Sequence, residues 1–231
     1  MFGGHKQTQL RDGTVVELDS GTCVTEKFST SKRVVQLTEI AGEKIPALEA
    51  IFRVAADSRR PFSVEAGPLS VQVLGTQFDV LRRADSTRVA VIEGKVQIAS
   101  LDTRFLRKIA PVTERQQVDV PDDTAQQTVL KSITSDRFAQ MTAWKRGYIV
   151  LDGQTLTEML QEFSRYQHFQ AFVDPSIPQQ LLYSAVFHTT APEEFLRVLS
   201  HQCIHGEYDR VAQRITLSTM AGKQPGAICS P

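Results

Sequence analysis

The chain has 231 residues, of which 41% are hydrophobic, and its 26 Lys and Arg residues balance its 26 Asp and Glu residues. This apolar content is enough to form a buried core, which excludes a wholly disordered chain. A formal net charge of zero provides no long-range attraction to nucleic acid or to an anionic membrane surface, so neither class of partner is expected.

Short β-rich segments fill residues 8 to 120, and turn signals separate them. Repeated short strands of this kind predict an all-β sandwich or a stacked, solenoid-like β domain. Only residues 46–52 also fit a helical period. The turn signals are Asp12-Gly13, Asp19-Ser20-Gly21, Ala66-Gly67-Pro68 and Glu93-Gly94.

Residues 70–80 and 89–98 are predicted to be consecutive antiparallel strands, each interrupted by a glycine. In the first, Val71 and Val73 alternate with polar residues before Gly75. In the second, Glu93-Gly94 is placed where a short hairpin needs a residue that tolerates a positive φ.

The pattern changes after the polar residues 121–128, which open with a proline and predict a connector. Residues 129–143 are predicted to be either a linking helix or an extended segment. Farther along, Thr155 and Glu158 have the spacing of a capping box. An amphipathic helix should follow, because apolar residues recur at the helical spacing: Leu156, Met159, Leu160 and Phe163.

Strands are predicted on both sides of this helix, and a second strand–helix–strand unit and a final strand follow. The helix of the second unit opens with Pro192 and is followed by strand residues 204–208 and 214–218. We therefore predict an α+β chain with four parts. These are a β-rich domain at residues 1–120, a connector at 121–143, a βαβ-βαβ domain at 144–218 and a flexible tail at 219–231.

Four ordered motifs resemble the periplasmic part of FecR-type sigma-factor regulators. The segment at residues 38–51, with Glu43, Lys44 and Pro46, is longer and less strand-like than the corresponding strand of that family. The motifs are VLGTQFDV at 73–80 with VIEGKV at 91–96, LRDGTVVEL at 10–18, PFSVEAG at 61–67 and AWKRGYIVL at 143–151.

The resemblance implies an N-terminal all-β FecR-like domain and a C-terminal domain similar to the short N-terminal domain of secretins and TonB-dependent receptors. It implies a periplasmic signalling region that binds the signalling domain of an outer-membrane TonB-dependent siderophore receptor. The region would relay iron-uptake status to a cytoplasmic extracytoplasmic-function sigma factor. An alternative interpretation is a structural or carbohydrate-binding β-domain of the cell envelope without signalling.

Regulators of this kind contact the sigma factor through a cytoplasmic N-terminal domain, and one transmembrane helix tethers them to the inner membrane. Neither is present in this sequence, which has no run of roughly 18 apolar residues, and residues 1–6 are too polar for a signal peptide. We therefore expect a piece of a longer periplasmic protein. The resemblance also implies periplasmic and intramembrane proteases as partners.

Small βαβ domains have exposed sheet edges, so addition of a strand from the partner is a plausible docking mode. Two strand segments are predicted to offer such an edge. Their residues are Leu182, Tyr183, Ser184, Ala185 and Val186 in the first, and Arg214, Ile215, Thr216 and Leu217 in the second.

Gly75-Thr76 is a candidate self-cleavage site. The threonine hydroxyl can attack the preceding carbonyl in an N-to-O acyl shift, and glycine permits the backbone that this attack needs. Some FecR-type regulators are split at this dipeptide. The alternative interpretation is a glycine bulge after which the strand resumes.

No enzyme and no cofactor are predicted, because hydrolase, phosphate-loop and dinucleotide motifs are absent from the sequence. His201, Cys203 and His205 would lie on one face of an extended segment, but no carboxylate supports them and no metal is expected. The sequence has three cysteines, Cys23, Cys203 and Cys229. They allow one disulfide, but their spacing does not select the pair. Trp144 is predicted at the domain junction, as an interface anchor or as packing.

Overall fold

A computed structural model describes residues 4–40, 45–101, 109–223 and 225–226. The chain divides into two compact units, one formed by His5–Thr142 and the other beginning at Ala143. The first unit is almost entirely β, and the second combines strands with two helices.

Two sheets form the first unit. Within the described residues, the first sheet is antiparallel and has the order β1 (Lys6–Gln9), β2 (Val15–Leu18), β5 (Ala47–Arg53), β8 (Gln77–Arg83), β9 (Ser86–Glu93), β12 (Gln116–Pro121) and β13 (Val129–Ser132). The second has the order β11 (Val112–Thr113), β10 (Lys95–Ser100), β7 (Leu69–Val73), β6 (Phe62–Ala66), β4 (Arg33–Glu39) and β3 (Thr22–Phe28). Here β4 and β6 run parallel.

One apolar core fills the space between the two sheets. Alternating residues of each strand point into it, as expected for a sheet with one covered face. The Phe52 ring of β5 lies 6.2 Å from the Phe62 ring of β6 in the other sheet, and it stacks on Phe78 at 5.3 Å. The predicted β character of this half of the chain is confirmed.

The helical period at residues 46–52 is wrong, because this segment contains the interior strand β5. Ala50, Ile51 and Phe52 are buried in succession, so both faces of the strand are covered. A short apolar run of this kind has no alternation that would distinguish it from a buried helix. Glu43 and Lys44 lie outside the described residues.

The glycine-interrupted strands are present, but the hairpin at Glu93-Gly94 is wrong. Residues 69–83 run antiparallel to residues 86–100, and both segments leave one sheet and enter the other at their glycine. Strand β7 crosses to β8 at Gly75, and β9 crosses to β10 at Gly94, where φ is +89°. The positive φ therefore serves a sheet crossover, and the tight turn is at the other end, between β8 and β9.

A buried ion pair joins three segments of the first unit. The Arg33 guanidinium at the start of β4 donates from Nη1 to Asp12 Oδ2 at 2.7 Å and to the Ala55 carbonyl at 2.8 Å. Its Nε donates to the Arg60 carbonyl at 2.9 Å, and the guanidinium lies over the Phe62 ring. Because both charged side chains are at most 2% exposed, each depends on the other for its stabilisation.

The predicted connector at residues 121–143 is an ordered part of the first unit. It contains β13, which pairs with β12, and then helix α1 (Ser135–Met141). The Thr134 side chain caps this helix by accepting from the Arg137 backbone N–H at 3.1 Å. Both predicted alternatives for residues 129–143, an extended segment and a helix, are therefore present in turn.

The second unit has the predicted order of strands and helices. A 3₁₀ turn (Ala143–Arg146) leads into β14 (Tyr148–Thr155), α2 (Leu156–Ser164) and β15 (Gln170–Val173). Next come β16 (Leu182–His188), α3 (Pro192–Ser200), β17 (Ile204–Asp209) and β18 (Arg214–Thr219). The capping box of Thr155 and Glu158 at the start of α2 is confirmed.

These strands form two small sheets among the described residues. Strands β14 and β16 pair antiparallel, whereas β15, β18 and β17 form the other sheet with β18 in the middle. Aromatic rings of the two helices and β16 make the core. Phe163 of α2 stacks on Phe195 of α3 at 5.2 Å, and Phe187 of β16 meets Phe195 edge-on at 5.9 Å.

Candidate functional site

Strand β16 has an open edge on the side away from β14, since no other described strand pairs with it. The Thr189 backbone N–H donates to the Gly147 carbonyl at 2.9 Å, which fixes the alternation of the antiparallel ladder. Backbone groups of Ala185 and Phe187 then face β14, and those of Ser184 and Val186 face outward. The edge therefore presents donors and acceptors that another strand can use.

Side chains along β16 alternate in the same way. Leu182 and Val186 are 60% and 62% exposed, and Ser184 is also exposed. Tyr183 and Phe187 point the other way and are buried. An apolar surface therefore accompanies the open edge.

Other edge strands of the described chain are protected against pairing, and β16 is not. Charged residues within edge strands discourage the addition of another strand, and so do bulges and short length. Residues 182–187 contain no charge, no proline and no bulge. By contrast, β11 and β15 have only two and four residues, and β14 is bulged between Asp152 and Gln154. The remaining edge strands carry Lys6 (β1), Glu26 and Lys27 (β3), Lys131 (β13), and Glu207 and Asp209 (β17).

The outer edge of β16 ends at His188. Its backbone N–H donates to Glu194 Oε2 at 2.9 Å, and its Nδ1 lies 3.1 Å from both carboxylate oxygens. These hydrogen bonds hold the pKa of Glu194 below its usual range, and the bond from the His188 backbone N–H has the largest effect. Because the His188 amide is already bonded, the part of the edge open to a partner strand is residues 182–186.

The second predicted edge, Arg214, Ile215, Thr216 and Leu217, is wrong as an edge. These residues belong to β18, which pairs with β15 on one side and β17 on the other. Both sets of backbone groups are therefore used within the sheet. The alternation of polar and apolar residues in β18 is the same for a central and an edge strand, so the sequence could not distinguish them.

The Tyr183 side chain is not available to a partner in this structure, because it is fully buried. Its hydroxyl has no hydrogen-bond partner among the described residues, and burial raises the pKa of Tyr183 to about 12. A buried hydroxyl without a partner loses its hydration without compensation. Of the five predicted residues, those whose side chains are well exposed are Leu182, Ser184 and Val186.

Replacing Tyr183 with Phe is expected to raise the free energy of unfolding of the second unit by about 1 kcal/mol, since the unpaired hydroxyl is removed and the ring remains. Urea unfolding followed by the fluorescence of Trp144 measures this. The half-buried Tyr208 offers a control in the same unit, and Tyr208→Phe should bring no such gain. A loss of stability in Tyr183→Phe would show that the hydroxyl is bonded in the folded protein.

The dipeptide Gly75-Thr76 lies at the sheet crossover. Thr76 is 5% exposed, and its hydroxyl donates to the Lys95 carbonyl at 3.0 Å and accepts from the Lys95 N–H at 3.4 Å. A side chain at Gly75 would place its Cβ 2.9 Å from that of Ala56, which explains the glycine by close packing. Gly75 does not have a positive φ. Self-cleavage would require the hydroxyl to leave Lys95, and it stays a prediction.

The other singled-out residues have structural surroundings. Trp144 is 4% exposed within the 3₁₀ turn of the second unit. Cys203 is disulfide-bonded, so it has no thiolate for a metal, and Cys23 is a free cysteine. His205 pairs with Glu207 on the surface of β17. The described residues contain no cluster of three or more metal-binding side chains. Cys229 lies outside the described residues.

Comparison with known proteins shows what the chain resembles. The family model described as "FecR protein" matches residues 2–97. Two crystal structures of a candidate anti-sigma factor from Parabacteroides distasonis ATCC 8503 have the same fold, with TM-scores of 0.75 and 0.74. Both are 23% identical to this chain, and the alignments cover 95% of it and 97% and 96% of the other chain. No protein with a curated description matches the chain significantly. Residues 2–97 thus match the FecR family model, and the resemblance of this part of the chain to FecR-type regulators is confirmed.

Proposed function

We propose that this chain is the periplasmic signalling region of a FecR-type sigma-factor regulator. Its second unit binds the periplasmic signalling domain of an outer-membrane TonB-dependent siderophore receptor. The regulator then relays iron-uptake status to a cytoplasmic extracytoplasmic-function sigma factor. The two crystal structures that share the fold, both described as a candidate anti-sigma factor, support the sigma-factor part of this proposal.

The open edge of β16 is the observation that carries the docking step. A receptor domain that donates a strand would gain backbone hydrogen bonds from the outward groups of Ser184 and Val186. Its apolar side chains would cover Leu182 and Val186, which are more than half exposed in the free chain. The order of strands and helices in the second unit supports its likeness to the short N-terminal domain of secretins and TonB-dependent receptors.

The disulfide at Cys203 supports a periplasmic location, because such bonds form and persist in oxidising compartments. Among the described residues, no helix combines the length and apolar character needed to cross a membrane. The proposed tether to the inner membrane, the contact with the sigma factor and the release by proteases all belong to the complete regulator. Self-cleavage at Gly75-Thr76 is a further processing step that intact-mass measurement would detect.

Val186→Lys is expected to weaken receptor binding at least tenfold, because the ammonium must be desolvated when the partner strand is added. Isothermal titration of the full chain with the signalling domain of a receptor encoded beside it measures the affinity, in the micromolar range that suits transient interfaces. Val211→Lys is the matched control, since Val211 is 98% exposed in the turn between β17 and β18. Binding should survive this control.

Ser184→Pro tests the strand addition itself. The Ser184 N–H faces outward, so proline removes a donor from the open edge and no backbone donor from the ladder with β14. It also removes the hydroxyl that accepts from the Gly153 N–H of β14 at 3.1 Å, so folding of the variant is checked first. Unchanged affinity in a folded Ser184→Pro variant would reject β16 as the docking edge. If the unaltered chain does not bind the receptor domain at all, the signalling proposal itself fails, and the structural envelope function becomes the better hypothesis.

A further inference from the structure

The open segment of β16 is complementary to itself. The exposed apolar residues Leu182 and Val186 lie two positions before and two positions after Ser184. When two such strands run antiparallel with Ser184 opposite Ser184, Leu182 of one copy therefore lies opposite Val186 of the second copy. We propose that, in the absence of the receptor domain, β16 pairs antiparallel with β16 of a second copy of this chain about a two-fold axis at Ser184.

The ladder of β14 and β16 fixes the register of this pairing. Because the backbone groups of Leu182, Ser184 and Val186 face the open edge, only these residues can form hydrogen-bonded pairs with the second copy. Ser184 then pairs with Ser184 of the second copy, and Leu182 pairs with its Val186. Side chains of paired residues lie on the same face, so two Leu–Val contacts form on the exposed apolar surface.

Charge does not oppose the pairing. Residues 182–187 are uncharged, so two copies meet without repulsion along the edge. The Glu194 carboxylate at the end of the segment is bonded to His188. The bond from the His188 amide to Glu194 also closes the ladder at that end, which limits the pairing to residues 182–186.

Five residues on each side bury much less than the roughly 800 Å² per partner of a standard interface. The dimer should therefore be weak, with a dissociation constant on the order of 100 μM. On the membrane, a tether would raise the effective concentration and favour it. If the receptor domain docks at β16, which rests on the function proposed above, dimer and receptor complex exclude each other. The receptor would then act by separating two regulators.

Sedimentation of the full chain without any receptor domain, from about 10 μM to about 1 mM, tests the dimer. We expect a concentration-dependent shift from monomer to dimer. Ser184→Pro and Val186→Lys should remain monomeric over the range, and Val211→Lys should behave like the unaltered chain. A chain that stays monomeric at about 1 mM, or a dimer that both edge variants leave intact, would overturn the proposal.

Disulfide trapping tests the register in a Cys23→Ser background. The Cα atoms of two paired Ser184 residues would be about 5.5 Å apart, within reach of a disulfide. The two Leu182 residues would be four positions apart along the strands, about 14 Å, which is too far. Ser184→Cys should therefore form a covalent dimer on mild oxidation and Leu182→Cys should not. Equal trapping of both would reject the register.

These tests separate the dimer from the proposed function. A monomeric chain that binds the receptor domain would remove the dimer and leave the signalling role. A dimer that binds no receptor domain would leave the pairing of two copies and remove the signalling role. When both occur, adding the receptor domain should reduce the yield of the Ser184→Cys covalent dimer, and an undiminished yield at saturation would contradict the competition.

Discussion

Arg33→Met is expected to lower the free energy of unfolding of the first unit by about 3–5 kcal/mol, the largest effect among the single substitutions considered for that unit. Methionine fills much of the same space but leaves Asp12 charged, buried and without its cation. The carbonyl groups of Ala55 and Arg60 lose their donors as well. The loss of stability therefore comes from the buried carboxylate and the two carbonyl groups that no longer have a partner.

Urea unfolding followed by far-ultraviolet circular dichroism measures this loss, and Trp144 fluorescence reports separately on the second unit. Arg11→Met is the matched control, because Arg11 pairs with Glu26 on the surface and its side chain is 69% exposed. Such a pair contributes at most about 1 kcal/mol. Equal losses in the two variants would mean that the buried position of the Arg33 pair does not matter.

Gly94→Ala is expected to destabilise the first unit by about 2–4 kcal/mol, for two additive reasons. Alanine at a φ of +89° is strained. Its Cβ would also lie 2.9 Å from Thr76 Oγ1, which bridges the carbonyl and the N–H of Lys95. The substitution therefore disturbs both strands at the point where they pass between the sheets.

Gly13→Ala is the control for the cost of placing alanine at a positive φ, since Gly13 has a φ of +88°. A Cβ added there would meet only Ala55 Cβ, at 3.9 Å. The difference between the losses of stability in Gly94→Ala and Gly13→Ala gives the cost of the close approach between the added Cβ and Thr76 Oγ1. In a Thr76→Ala background, Gly94→Ala should lose less, because the hydroxyl is gone. The same urea measurement applies, and equal losses at Gly13 and Gly94 would remove the close approach from the explanation.

Local patterns were sufficient for much of the fold. The capping box at Thr155 and the helical spacing after it predicted α2, and the motifs between residues 10 and 96 predicted the match to the FecR family model. Glycine positions 75 and 94 were predicted as interruptions of strands. In each case the signal lies within about ten residues of the feature, where turn and helix preferences act.

Features set by distant parts of the chain could not be predicted in this way. The crossovers at Gly75 and Gly94 depend on β5 and β10, which supply the partners on either side. Whether β18 is central depends on β15, more than 40 residues earlier in the chain. Residues 182–186 were predicted together as an edge strand, and only the folded structure shows that the Tyr183 side chain is inside and the Ser184 side chain outside.

Amide hydrogen exchange of the full chain, with and without the receptor's signalling domain, tests the docking of a strand at β16 most directly. The Ser184 and Val186 amides face the open edge, and the Ala185 amide faces β14. We predict that exchange at Ser184 and Val186 slows strongly only in the complex, whereas Ala185 is protected in both states. Unchanged exchange at Ser184 and Val186 in a saturated complex would contradict the account.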